Sequence, residues 1–540
     1  MVRLTELTSY ADAQAQASSA ALWELFDGDR DVLNIAHECI TRHADGSGRP
    51  AVRIAHAAKG NEGGRDEILS FDLIAAGAAR FAHWLDAEGV KPGERIAFML
   101  EPSLPFYVCL FGAMQTGAIS VPLFTLFGPD ALKLRIDDCK PAILITNAEK
   151  ADLARGAVTA ENGLRVIVAD DGLLDEIAKF PATYEPKTKA GDLAVFQYTS
   201  GTTRELPEAV KHTHKALVTL MFAALYGTGI RPKTTNGEGD EFFCPSSPAW
   251  GHGLWHGTLA PLGLGVTTGT FAGRFDPVRL MKALDDYGIT NMSAAATHYR
   301  MMKNSGAAGD YKFHFRKLSY TGEPIDPATL EFIDEAFKVP VCSMYGTTEI
   351  GVVLVNYPGA DDFTVKPGSL GKAVPGQKLE VQRPNGTPTA PGEIGELMLW
   401  RGGSWMTTKD RAKIDEEGYF YHCGRADDVI ISAGWTMSAV EIENTMLRHE
   451  NVLECGVIGV PDEQRGQVVK AFVVANRAGD DGFVKELQDF TRERLAQHEF
   501  PRIVEFVEEL PKNPAGKVHR KMLRDREAAK AAPNAVPAVG

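Results

Sequence analysis

Along the chain, apolar positions alternate between the spacing of an amphipathic helix and short unbroken runs, and this alternation predicts helices and strands in turn. "FDLIAAGAARFAHWLDAEG" gathers its apolar residues on one helical face, whereas "RIAFML" and "PAILIT" are continuous runs of strand length. The signal returns in "LRVIVAD", in "FDPVRLMKALDDYG" followed by "ITNMSAA", and in "ATLEFIDEAFKVPVCSMYG". Helices that alternate with strands imply parallel sheets joined by helical crossovers, hence a large α/β body. The uncharged stretch from Pro102 to Pro129 is long enough to be weighed as a membrane span. Gly112, Gln115, Thr116, Gly117, Ser120 and Pro122 interrupt it, so it reads as a buried helix, a turn and a short strand.

The pattern changes near residue 365. "KPGSLGKAVPGQKLEVQRPNGTPTAPGEIGELMLW" is rich in Gly and Pro with short strands between turns, which predicts a small β subdomain over about 365–425. Residues 1–425 thus form a large N-terminal domain. After "GRADDVIIS" a new series of helices and strands predicts a small α+β C-terminal domain over 426–526, and the polar, Ala/Pro-rich tail 527–540 is expected to be disordered.

Composition narrows the function classes. The 540 residues carry 44% hydrophobic and 24% charged side chains, as an ordinary globular protein does. A formal charge of -14 leaves no surplus of cations to neutralise a nucleic-acid backbone, so no nucleic-acid partner is expected. Seven scattered cysteines, none in a Cys-x-x-Cys pair, fit a reducing compartment without structural zinc, and the N-terminus lacks an apolar signal core, so the expected location is cytoplasmic.

Candidate chemistry lies in loops. In "YTSGTT", the backbone N–H groups and hydroxyls of Thr199, Ser200, Gly201, Thr202 and Thr203 have the character of a phosphate-wrapping nest, although no Walker G-K-[ST] follows and the run also suits a plain turn. "YTGEP" and "MYGTTE" each follow a predicted strand, where α/β proteins bind ligands. There Tyr345 could stack on a base, Thr348 could reach a phosphate and Glu349 could hold magnesium through hard oxygens. Asp410, with Arg425 nearby in sequence, has the makings of a ribose grip. Lys517 lies in the Pro/Gly loop of "PKNPAGKVHRKMLR", a place where a lysine is usually only a solvated charge.

The order and company of "YTSGTT", "YGTTE", "GYFYHCGRADDVI" with "EIE" downstream, and "PKNPAGKVHRKMLR" resemble the acyl-adenylate-forming superfamily over nearly the whole chain. That superfamily contains acyl-CoA synthetases, luciferase-type enzymes and adenylation domains, and the resemblance is nearest to acetyl- and medium-chain-type acyl-CoA synthetases. It implies an ATP- and Mg2+-dependent acid–thiol ligase with coenzyme A as co-substrate. It implies that Thr199–Thr203 bind the ATP phosphates and that Gly322, Glu323 and Pro324 line the adenine pocket with Tyr345 stacked on the ring. It further implies that Thr348 meets the α-phosphate, Glu349 binds magnesium, and Asp410 and Arg425 hold the ribose. Lys517 matches the catalytic lysine, Asp427 the hinge of a mobile C-terminal lid, and Gly434 a position beside the pantetheine path.

Departures from the superfamily pattern matter. Arg204 and Glu205 occupy the space of one glycine, Glu208 stands where lysine is common, Ala209 replaces a glycine, and Thr436 replaces a frequent arginine. Arg204 and Lys211 are candidates to supply the missing positive charge. Gly346 stands where acetate-activating relatives carry a tryptophan, so an acid larger than acetate is expected: medium-chain, branched, alicyclic or aromatic. "SSPAWGHGLWHG" is expected to line that pocket through Trp250 and His252. Two other readings stay open: an enzyme that loads a separate carrier protein, and a noncatalytic binder of nucleotide or acyl ligand. A homo-oligomer is equally left open, and no membrane span is expected.

Overall fold

The computed structural model describes residues 3–59, 63–159, 162–198, 209–234, 237–322, 325–347, 350–425, 429–432, 435–462, 466–495, 500–512 and 518–531. The chain forms two compact units, one of residues 1–322, 336–365 and 374–376, the other of residues 323–335, 366–373 and 377–540.

Among its described residues the first unit contains two sheets. In one, the strands run in the order Arg165–Val168, Ile143–Thr146, Arg95–Met99, Ile119–Pro122, Leu193–Gln197 and Val210–Thr213, parallel except for the last pair. The other sheet has a parallel run, Val341–Thr347, Lys317–Thr321, Asn291–Ala295, Phe242–Phe243, Thr268–Ala272 and Pro50–His56. Antiparallel strands Gly351–Val355 and Asp66–Ser70 flank that run. The expected crossover architecture is present, with antiparallel strands added where a hairpin reaches a neighbour without a helix.

Local sequence explains the connecting helices. Ser70 caps Phe71–Ala87 by accepting from the Leu73 amide, and Asp276 caps Pro277–Asp286 through the Val278 and Arg279 amides. The uncharged stretch folds as the expected helix, Leu104–Thr116, buried from Phe106 onward, and the strand Ile119–Pro122. No helix among the described residues is long and apolar enough to cross a membrane.

In the second unit, the Gly/Pro-rich region is an antiparallel sheet ordered Lys378–Gln382, Gly395–Arg401, Ser404–Ile414 and Phe420–Arg425. A further sheet of Val452–Asp462, Gly466–Ala475 and Ile503–Phe506 shares one apolar core with helices Ala439–Met446 and Asp481–Arg494, through Ile442, Met446, Val457, Val473, Phe483 and Leu487. The expectation of disorder from residue 527 is corrected for its first residues, because helix Arg520–Ala531 runs through them. Glu527 and Lys530 are ion-paired: Lys470 Nζ lies 2.6 Å from Glu527 Oε2, and Lys530 Nζ lies 3.0 Å from Glu505 Oε2. A local composition typical of tails cannot register those partners. Residues 532–540 lie outside the described residues.

Candidate active site

The first unit brings several sequence-selected positions to the carboxyl ends of its parallel strands, where the chain leaves the sheet and ligand sites form. The register Tyr320↔Ser343 carries Gly322 alongside Tyr345 on the next strand, and Thr321 Oγ1 donates to the Met344 carbonyl at 2.8 Å across the gap. Gly322 has φ +96°, a backbone conformation that suits glycine alone among common residues. Glu323 and Pro324 lie outside the described residues, as do Thr348 and Glu349.

Strand Val341–Thr347 turns back into Gly351–Val355 with an irregularity between Tyr345 and Gly346. A Cβ at residue 346 would stand 2.0 Å from the Gly351 carbonyl oxygen and 2.7 Å from Val352 Cα. With the hairpin in this conformation, a side chain at residue 346 would require the backbone to shift.

Trp250 and His252 follow the short strand Phe242–Phe243. His252 is buried, with Nδ1 3.0 Å from Ser246 Oγ and Nε2 2.9 Å from Ser293 Oγ, so two hydroxyls fix its ring. The Trp250 ring meets it edge-on, with centroids 5.4 Å apart, and His256 follows one turn later at 5.9 Å. The segment His252–Leu259 winds as a π-helix, a wide turn common at functional sites. Burial pushes His252 well below its ordinary range and lowers His256 and His298 to about 4, so this wall carries neutral imidazoles at neutral pH.

The expected phosphate segment, Thr199–Thr203, lies outside the described residues, as do Arg204, Glu205 and Glu208. Its flanks are defined: Leu193–Gln197 and Val210–Thr213 pair antiparallel, with Gln197 opposite Val210. Gln197 Nε2 donates to the Ala249 carbonyl at 2.6 Å, which joins this stem to the Trp250–His252 segment. Lys211 projects from the second stem strand with its ammonium 5.3 Å from the Phe196 ring centre, a contact available to a cation on an aromatic face. Ala209, which stands in place of a glycine, is buried.

In the second unit, Asp410 and Arg425 are directly opposed across antiparallel strands, so residues fifteen positions apart in sequence become neighbours. Asp410 is 3% exposed; its amide donates to Thr408 Oγ1 at 3.2 Å, and His422 Nε2 lies 3.5 Å from its Oδ1. His422 was not among the residues selected from sequence, because only the strand register places it there. The side chains of Arg425 and Thr436 lie outside the description, and so do residues Asp427, Gly434 and Lys517. The segment bearing Lys517 is closed at its base by a bridge between Lys512 and Val518 and by the His519 amide donating to the Pro511 carbonyl at 2.7 Å. Immediately beyond, Arg520 grips Glu443 with two nitrogens, at 3.0 and 2.6 Å.

Comparison with known proteins bears on the family and the fold. The family described as AMP-binding enzyme matches residues 42–408, and the one described as AMP-binding enzyme C-terminal domain matches residues 441–517. The acetyl-coenzyme A synthetase of Bacillus subtilis (strain 168) is 29% identical over 532 residues, covering 91% of this chain and 90% of that protein. The crystal structure of Brucella canis acyl-CoA synthetase superposes with a TM-score of 0.73 at 29% identity, covering 97% of this chain and 100% of that one. The anthranilate CoA ligase AuaEII in complex with anthranoyl-AMP gives a TM-score of 0.82 at 25% identity, covering 96% and 100%. The expected α/β architecture and the resemblance read from the motifs both stand, and the chain belongs to the AMP-binding enzyme family, that of the acyl-CoA synthetases and related adenylating ligases.

Proposed function

We propose that this protein is an ATP- and magnesium-dependent carboxylate–CoA ligase acting on an acid larger than acetate. The observation that carries the reading lies in the first unit: Gly322 comes alongside Tyr345 of the neighbouring strand, and Gln197, in the stem of the expected phosphate segment, donates to the carbonyl of Ala249, which directly precedes Trp250. These contacts support an adenine face at Gly322 and Tyr345 and an acyl wall next to the stem of the phosphate segment.

In the first step a carboxylate oxygen attacks the α-phosphorus of ATP, the bond to the β-phosphate bridge breaks, and pyrophosphate leaves. Two anions must meet, so positive charge at the reacting centre is the main requirement. Lys517 is assigned to bridge the carboxylate and the α-phosphate, with Thr348 on that phosphate and Thr199–Thr203 around the others. Gly322, Glu323, Pro324 and Tyr345 are assigned to adenine, and Asp410 with Arg425 to the ribose hydroxyls. A magnesium ion takes most of its oxygens from phosphate and water and needs few from protein, so the single carboxylate of Glu349 is a fitting donor. Bound there, the ion would offset phosphate charge.

In the second step the CoA sulfur attacks the acyl carbon, loses its proton, and displaces AMP with cleavage of the acyl–oxygen bond. Lys517 has no task in this step, and Gly434 beside the pantetheine path and a swing about Asp427 are assigned to it. The neutral wall of Trp250 and His252 suits an acid's uncharged body, since an imidazolium would compete with Lys517 for the carboxylate. Gly346 places no side chain in the acid's way. A panel of acids from acetate to aromatic and alicyclic acids, followed by mass-spectrometric detection of acyl-AMP before and acyl-CoA after CoA addition, tests the proposal. Acyl-AMP with a bulky acid and its conversion on CoA addition are expected; ATP cleavage with no acyl-AMP from any acid would contradict the ligase. Acyl-AMP transferred only to a carrier protein would reassign the acceptor.

A further inference from the structure

Asp138 lies in helix Pro129–Cys139, about sixty residues before the expected phosphate segment, and no motif marks it. One of its oxygens nevertheless holds both flanks of that segment. Asp138 Oδ2 accepts from Tyr198 Oη at 2.6 Å and from the Ala209 backbone amide at 3.2 Å. Tyr198 directly precedes the ten residues 199–208, and Ala209 directly follows them.

The surroundings make these contacts persistent. Tyr198 and Ala209 are 3% and 7% exposed and share an apolar cluster with Leu132, Ile136 and Cys139 of the same helix. The Tyr198 hydroxyl also lies 3.0 Å from the Arg135 carbonyl, and the Arg135 guanidinium stacks 3.9 Å from the Phe127 ring centre. Burial, with Cys139 and Asp138 adding to it, raises the Tyr198 pKa, so the phenol keeps the proton it donates. A carboxylate that accepts from a hydroxyl and an amide makes charge-assisted bonds, stronger than neutral ones.

We propose that Asp138 is a positioning residue for ATP: it fastens Tyr198 and Ala209 and thereby sets where the phosphate segment starts and ends. The inference rests on the reading of Thr199–Thr203 as that segment. Fixing both ends of a loop removes much of its conformational freedom before ligand arrives. Here the restraint has added weight, because the second glycine and the lysine usual in such segments are replaced by Arg204, Glu205 and Glu208.

The test uses the full chain with Asp138→Ala, Asp138→Asn and Tyr198→Phe, and reads KM for ATP and for acid in acid-dependent ATP–pyrophosphate exchange, ATP binding without acid by calorimetry, and the melting temperature. Asp138→Ala is expected to weaken ATP about tenfold, the size of effect of losing one to two such bonds. The KM for acid stays unchanged. Asp138→Asn, which keeps an accepting oxygen, restores most of the affinity, and Tyr198→Phe, which keeps the Ala209 contact, falls between. If Asp138→Ala does not fold, Tyr198→Phe carries the test, with ATP weakened selectively. Unchanged ATP affinity, or ATP and acid weakening together in step with melting temperature, overturns the inference. A wild-type chain that binds ATP but exchanges with no acid would sink the ligase reading and leave the Asp138 test standing; one that binds no ATP would overturn both.

Discussion

The proposed acyl wall of the first unit and the C-terminal sheet of the second handle buried polarity in opposite ways. Around the wall, His212, His256 and His298 are lowered to about 4 and His252 well below its ordinary range, all mainly by burial, so these imidazoles are uncharged. In the C-terminal region the polar groups are ion pairs: Arg520 with Glu443 at 2.6 Å, Lys413 with Glu441 at 2.7 Å, and Lys470 with Glu505 and Glu527 at 2.7 and 2.6 Å. In the proposed reaction the uncharged wall receives the acyl body, whereas the charge that meets two anions is assigned to Lys517, apart from these neutralised pairs.

The most severe break of this contrast is removal of the charge itself. Lys517→Ala is expected to slow adenylation about 10²–10³-fold, the size of effect of deleting one transition-state donor, while thioester formation from supplied acyl-AMP is little changed. Stopped assays of each half-reaction check this, and equal losses in both would erase the assigned division. Asp410→Ala comes next: losing hydrogen bonds from two ribose hydroxyls to a charged acceptor costs about 1.5–3 kcal/mol, so KM for ATP rises about ten- to hundredfold. Steady-state kinetics with ATP varied reads it.

Acid separates the two regions more gently. A histidine lowered from 6.5 to about 4 is neutral in the native state, so the unfolded chain takes up its proton first. Its contribution is therefore present above about pH 6.5 and is lost as pH falls toward 4. Glu505 and Glu527 are lowered from 4.5 despite burial, chiefly by their bonds to Lys470, so their contribution persists above that value and fades only below it. Hydrogen exchange resolved by peptide between pH 6.5 and 4.5 is expected to show the wall loosening before the C-terminal sheet. The smallest effect is that of salt. Ion pairs at least partly open to solvent are screened, so raising ionic strength costs the second unit less than about 1 kcal/mol and the neutral wall nothing measurable, by urea unfolding at two salt concentrations.

Much of the fold was legible because hydrophobic period reports burial directly. Phe71–Ala87, Arg95–Met99, Ile143–Thr146 and Leu104–Thr116 all lie where the pattern put them. What escaped depends on partners distant in sequence. Residues 527–531 are helical where Glu527 pairs with Lys470, fifty-seven residues earlier in the chain. Asp138 meets Tyr198, and Ser293 meets His252, only through folding, and neither lies in a motif. Asp410 and Arg425 were selected for their chemistry, but their direct opposition comes from the register of two strands.

The central claim is that an oxygen of the acid attacks the α-phosphorus of ATP, and an acid labelled with ¹⁸O in its carboxylate tests it most directly. Incubation with ATP and CoA is predicted to give AMP carrying one labelled oxygen, donated when the thiol displaces it from the acyl group. Acyl-CoA formed with unlabelled AMP would contradict the account.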